Sequence, residues 1–214
     1  MANNAEELLS LWKKIFTQVY ETSAYAQLFA CSYLCISSNH LDKGTAERNV
    51  KILNTYKNFF GTLEGGIAYA TVLSITKLFE EKKKLSLLYL VHEAAKFKIN
   101  HGDAYTKLEN THQETLKALK AARDNFFAHR NKEFNKIDLP SRDKIFALLK
   151  DIADFLNAIG REFKSTGLKN THVYAFKEGL AEGIKRDFQL VLDNLYRGEH
   201  ARITEIEVEY SEKL

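Results

Sequence analysis

Proline is almost missing from this chain: Pro140 is the only one in 214 residues. That leaves long stretches in which every backbone N–H can join a helical ladder, and Lys, Glu, Leu and Ala are plentiful there. Cysteine is nearly as scarce. Cys31 and Cys35 stand four apart in CSYLC, which places both on one helical face. That is not usual disulfide geometry, and no neighbouring Cys or His completes a zinc set. Buried thiols in a reducing compartment are the expectation. No apolar run approaches the roughly 18 residues of a membrane span. The opening MANNAEELLSLWKK lacks the apolar core of a secretion signal. A soluble, cytoplasmic protein without a membrane partner is expected. Charge of one sign is lacking too: 31 Lys and Arg against 28 Asp and Glu give a formal +3. That permits contact with a phosphate backbone but does not by itself predict it.

What is present is helical periodicity. Apolar residues make up 45% of the chain and recur at spacings of three and four. Ala5 to about Ser37 carries Leu8, Leu9, Trp12, Ile15, Phe16 and Val19. SSNHLDKGT (37–45) ends that helix, and Thr45 is placed to cap the next, with Val50, Leu53, Tyr56, Phe59 and Phe60. GTLEGG (61–66) has neither the preceding strand nor the following GK[ST] of a phosphate-cradling loop, so a kink or a close helix crossing is predicted. Helix resumes over Ile67 to Phe79, EEKKK (80–84) is a solvated charge run, and Ser86 to Ile99 is helical again. NHGD breaks the chain before its longest periodic stretch, Ala104 to about Lys132. Ser141 is placed to cap a helix with Ile145, Leu148, Leu149, Ile152, Phe155, Leu156 and Ile159. A last helix spans about Ala175 to Tyr196. Ile206, Val208 and Tyr210 then alternate with acidic residues, which reads as an extended or unstructured tail over 203–214. The prediction is a single all-α domain over 1–214, a bundle of about five or six helices.

One segment carries candidate chemistry. AARDNFFAHRNKE (121–133) sets Arg123 and His129 six apart, with Asp124, Asn125, Phe126 and Phe127 between them. With eight arginines and seven histidines, roughly one such pairing is expected by chance, so spacing alone decides nothing. In a straight helix six residues leave the two side chains about 120° apart and about 9 Å along the axis. They converge only if the helix distorts near its end, or if a second copy supplies the facing pair about a twofold axis.

ARDNFFAHRNK resembles the Arg-x(4–6)-His signature of the HEPN superfamily, and the whole chain resembles its abortive-infection, AbiU-type branch. ITKLFEEKKKLSLLYLV (75–91) upstream and LPSRDKIFALLKDIADFLN (139–157) downstream carry that resemblance over most of residues 5–165. It implies a HEPN-like bundle that dimerises with two motifs facing one cleft. For active members it also implies metal-independent RNA cleavage in a prokaryotic defence or toxin-type system. The catalytic residues would be Arg123, His129 and Asp124, with RNA bound by Asn125, Arg130 and Lys132, and neither metal nor cofactor. An imidazole titrates near pH 6.5 and suits general acid–base work on the 2′-hydroxyl or the leaving oxygen. Arg123 would hold the scissile phosphate with a planar fork of donors. Asp124 or Asn125 would orient the imidazole or bind a base or ribose, and Arg130 and Lys132 would steer RNA. RNA and a second copy are the implied partners, and such a system admits an antitoxin protein. Arg130 and Asn131 follow His129 where some HEPN toxins carry a modifiable Tyr two residues on, so no nucleotidyltransferase partner is inferred. The other reading is a non-catalytic dimeric helical module that binds a nucleotide or a protein.

The remaining histidines read as structural. VHE at 91–93 lacks the second His of H-E-x-x-H, since Lys96 stands there, so His92 is expected buried and hydrogen-bonded. His101 and His112 are expected exposed. The lone Trp12 is expected in the core, and no Ser or Cys has the context of a hydrolase triad.

Overall fold

A computed structural model describes residues 2–81, 83–128, 139–163 and 178–211 of the chain. The described residues form eight α-helices and no strand: α1 (Ala2–Leu34), α2 (Lys43–Thr55), α3 (Lys57–Leu78), α4 (Leu87–Ala95), α5 (Gly102–Thr111), α6 (Gln113–Ala128), α7 (Arg142–Glu162) and α8 (Glu178–Ser211). The all-α class is as expected; the count is higher because two expected helices are each broken once. One break is at Tyr56 between α2 and α3, the other at His112 between α5 and α6. Among the described residues no helix is long and apolar enough to cross a membrane.

Two compact units are distinguishable: Met1–Ala26 with Ala68–Phe176, and Gln27–Ile67 with Lys177–Leu214. In the first, α7 is the central apolar element. Its Leu148, Leu149, Ile152, Leu156 and Ile159 are fully buried, as their helical spacing predicts. Leu8, Trp12, Ile15, Phe16 and Val19 of α1 join the same core with residues of α3 to α6. Trp12 is completely buried and its indole N–H donates to the Leu156 carbonyl at 2.8 Å, across 144 residues of sequence. Phe163 meets the indole edge-on at 5.8 Å.

The first unit also corrects the reading of three histidines. His112, only 8% exposed, pairs through Nε2 with Asp151 Oδ2 at 2.8 Å. His101 Nε2 pairs with Glu162 Oε1 at 2.7 Å. Both histidines were expected in solvent. Instead they bracket α5, eleven residues apart, and their carboxylates stand eleven apart on α7 in reverse order. Eleven residues are about three helical turns, so the two pairs hold α5 and α7 antiparallel in one register. His92, expected buried, is exposed.

Ser86 caps α4, accepting from the Tyr89 N–H at 3.2 Å, and Ser141 caps α7 as predicted, accepting from the Lys144 N–H at 3.5 Å. The cap of α2 is Asp42, not Thr45. The Asp42 carboxylate accepts from the Thr45 N–H at 2.9 Å, which holds it below the usual carboxylate range.

In the second unit α2 packs with α8, and Cys31, Cys35, Ile52, Phe60, Phe188 and Leu192 form the core. Both cysteines are buried and in no disulfide, and burial pushes the Cys35 thiol up. A polar seam closes the unit. Asn49 Nδ2 donates to the Cys35 carbonyl at 2.7 Å and to Gln189 Oε1 at 3.0 Å. Arg48 pairs with Asp193 and lies over the Tyr196 ring at 5.3 Å from its centroid. Tyr56 Oη donates to Glu199 Oε1 at 2.6 Å. The tail expected to be extended from 203 is helical to Ser211 as the end of α8. Its alternation of apolar and acidic residues is equally compatible with a helix, and Ile203 is 44% exposed.

GTLEGG (61–66) does not interrupt the helix. Residues 61–66 are uninterrupted helix within α3, and a Cβ placed on Gly61 or Gly66 would meet nothing within 4 Å. No close crossing requires these two glycines. Gly61→Ala and Gly66→Ala should therefore each stabilise the fold by about 0.5–1 kcal/mol, through the lower backbone entropy of an unfolded alanine. Denaturant melts would show it; a loss of stability would reveal a packing role at these positions. A second expectation concerns alkali. Burial, aided by the charges of Glu109 and Glu81, pushes the Tyr105 hydroxyl from 10.0 to about 12. The folded chain must keep that proton while the unfolded chain releases it. The contribution is thus complete below pH 10 and lost as pH rises towards 12. Tyr105→Phe should flatten this part of the stability profile; an unchanged alkaline slope would contradict the assignment.

Candidate functional site

The site is built where the end of α3 meets α6. Leu116, Leu119 and Ala122 are buried at spacings of three, so they turn one stripe of α6 into the core. Arg123, four residues after Leu119, lies on the flank of that stripe, half-buried, while Asp124 and Asn125 point to solvent. On the facing side Leu78 and Phe79 are buried, and Phe79 stacks with Tyr105 at 6.4 Å between centroids. These anchors fix the turn that follows α3, and Glu80 is its first residue past the apolar pair.

Arg123 Nη1 donates to Glu80 Oε1 at 2.6 Å, and its Nε donates to Asp124 Oδ1 at 2.9 Å. The Arg123 and Glu80 side chains are 24% and 27% exposed, and Asp124 is 63% exposed. Glu80 Oε2 in turn lies 3.9 Å from Lys83 Nζ. A guanidinium has five N–H donors. Among the described residues two are engaged by carboxylates, which fixes the plane of the group, and three are left to meet an anion such as a phosphate. The arrangement is an oriented cation whose charge is largely compensated in the absence of a ligand.

Of the residues proposed from sequence, Arg123 and Asp124 are brought together, and Asn125 is exposed beside them. His129, Arg130 and Lys132 lie outside the described residues. Glu80 was missed. It opens the EEKKK run, which reads as solvated charge, and the only local signal was its position directly after Leu78 and Phe79. Among the described residues no three His, Cys, Asp or Glu side chains gather as a metal site would require.

The family model for AbiU2, of the HEPN type, matches residues 6–188. The match spans the motif and both flanking blocks that carry the sequence resemblance. No curated protein and no solved structure matches the chain.

The geometry makes Glu80 and Arg123 an energetically coupled pair across 43 residues. A double-mutant cycle of Glu80→Ala and Arg123→Ala should give a coupling of up to about 1 kcal/mol, the scale of a partly exposed ion pair, and it should shrink with added salt. A coupling indistinguishable from zero at low salt would mean that the pair does not hold Arg123 in solution.

Proposed function

The chain belongs to the AbiU2 family of HEPN proteins, and on that premise we propose that it cleaves RNA without a metal in a prokaryotic defence or toxin-type system. The observation that carries this reading is Arg123: a guanidinium fixed in place by Glu80 and Asp124, with three donors left over among the described residues, next to the end of α6. His129 follows in the same segment and supplies the acid–base group.

Mechanism follows from the chemistry of these two groups. The ribose 2′-oxygen attacks phosphorus as His129 accepts its proton, and a P–O2′ bond forms while the P–O5′ bond breaks. The departing 5′-oxygen takes a proton, leaving a 2′,3′-cyclic phosphate and a 5′-hydroxyl. No electrons are exchanged and no co-reactant is consumed. Charge accumulates on the phosphoryl oxygens, and Arg123 stabilises it with the donors that Glu80 and Asp124 leave over. Two copies sharing one cleft would let one imidazole serve as base and the other as acid.

A second reading has its own support. Arg123 already has two carboxylate partners, which is how a structural arginine is satisfied, and a dimeric binding or scaffold module needs nothing more. Mixed cellular RNA incubated with the purified chain in EDTA separates the two. Cleavage should survive chelation and fall by about 10²-fold or more in His129→Ala, the scale of a lost general acid or base. Arg123→Ala should lose activity too, and both variants should keep their helicity and association state. Absence of cleavage by the unmodified chain sinks the nuclease reading in favour of the module.

A further inference from the structure

The first unit carries a groove of about 990 Å³ between α1 and the end of α3, closed on one side by the turn that leads to α4. One stripe of α1 forms its long wall. Because Leu8, Trp12, Ile15, Phe16 and Val19 face the core, residues at 6, 10, 13, 14, 17 and 21 face the groove. Gln18 Nε2 donates to the Ser74 carbonyl at 3.0 Å and ties the two walls together.

Five exposed lysines line it: Lys13, Lys14, Lys77, Lys83 and Lys84. Glu6 and Glu21 are the acidic residues of the lining, and Glu80 beyond it lies 3.9 Å from Lys83. The groove's net of +3 equals the formal charge of the whole 214-residue chain, so the remaining formal charges cancel. A weakly basic composition thus conceals one concentrated basic surface. The lining contains no aromatic side chain and two leucines, Leu9 and Leu85. A protein partner would be expected to meet apolar or aromatic anchors, and base recognition to use stacking platforms. Lysines around hydroxyl and amide side chains fit a run of phosphates instead.

The groove also leads somewhere. Lys83 of its lining is 3.9 Å from Glu80, and Glu80 is 2.6 Å from Arg123, so one carboxylate separates the basic wall from the candidate catalytic cation. We infer that this groove holds the phosphate backbone of single-stranded RNA, without regard to base sequence, and delivers it past Glu80 to Arg123. The inference rests on the reading of the chain as RNA-directed, but it does not require cleavage.

Binding of a labelled single-stranded RNA of about twenty nucleotides tests it, in full-length His129→Ala protein so that the RNA is not consumed. The triple variant Lys13→Gln, Lys14→Gln, Lys84→Gln should weaken binding about tenfold or more near 0.1 M salt, and should lower the slope of log K against log salt by about 2, since each single-strand phosphate contact contributes about 0.7. Lys107→Gln, Lys117→Gln, Lys120→Gln removes the same charge from exposed positions on α5 and α6. That variant should keep affinity and slope. Circular dichroism of both triples should match the parent. Unchanged affinity in the groove triple, equal loss in both triples, or no RNA binding by the parent each overturns the inference. RNA binding that depends on the groove, together with no cleavage by the unmodified chain, would sink the nuclease reading and leave this one standing. Cleavage with an unchanged KM in the groove triple would do the reverse.

Discussion

The first unit depends on one buried polar contact. A tryptophan placed wholly out of water must find a partner for its indole N–H or forfeit the free energy of a lost hydrogen bond. Trp12 finds it in the Leu156 carbonyl, in the middle of α7. Together with the buried Leu8, Ile15, Phe16 and Val19, that requirement sets the rotation of α1. With Trp12 turned inward onto α7, Lys13, Lys14 and Thr17 have nowhere to go but outward, and they become the long wall of the basic groove. The position of the basic groove thus follows in part from how a core helix satisfies one donor.

The candidate cation is governed by a similar economy. Arg123 sits at the border of the core, where an unpaired guanidinium would be costly and a fully exposed one would be disordered. Among the described residues Glu80 and Asp124 resolve this by taking two donors and leaving three. The price is local compensation of its charge. On the proposed reading, long-range attraction of RNA falls to the groove lysines: they are exposed, and Lys83 lies 3.9 Å from Glu80, the carboxylate that also holds Arg123. On the proposed reading, attraction and transition-state stabilisation would be divided between two sets of cations joined by one acidic side chain.

Much of this was legible in the sequence. The buried face of α7 follows residue by residue from its periodicity, as does the burial of Trp12, the cap at Ser141 and the burial of both cysteines. The placement of Arg123 on a long helix was legible too. Less so were the breaks at Tyr56 and His112, because a helix that bends for one residue leaves the apolar period almost intact. His112 and His101 were misread because a histidine's burial depends on whether a carboxylate from another helix arrives to receive its N–H. Glu80 was hidden for a related reason: within EEKKK it looks like every other solvated charge.

The sequence by itself determined the helical class, the faces that turn inward and the family, since these reside in composition, period and motif order. Periodicity records which residues avoid water, and that is a local property of each helix. The tertiary structure alone decided that Glu80 meets Arg123, that Asp151 and Glu162 receive two histidines in one antiparallel register, and that lysines from 13–14 and 77–84 share a groove. Each joins segments 39 to 71 residues apart, and no local pattern encodes which charge will face which once the apolar faces have packed.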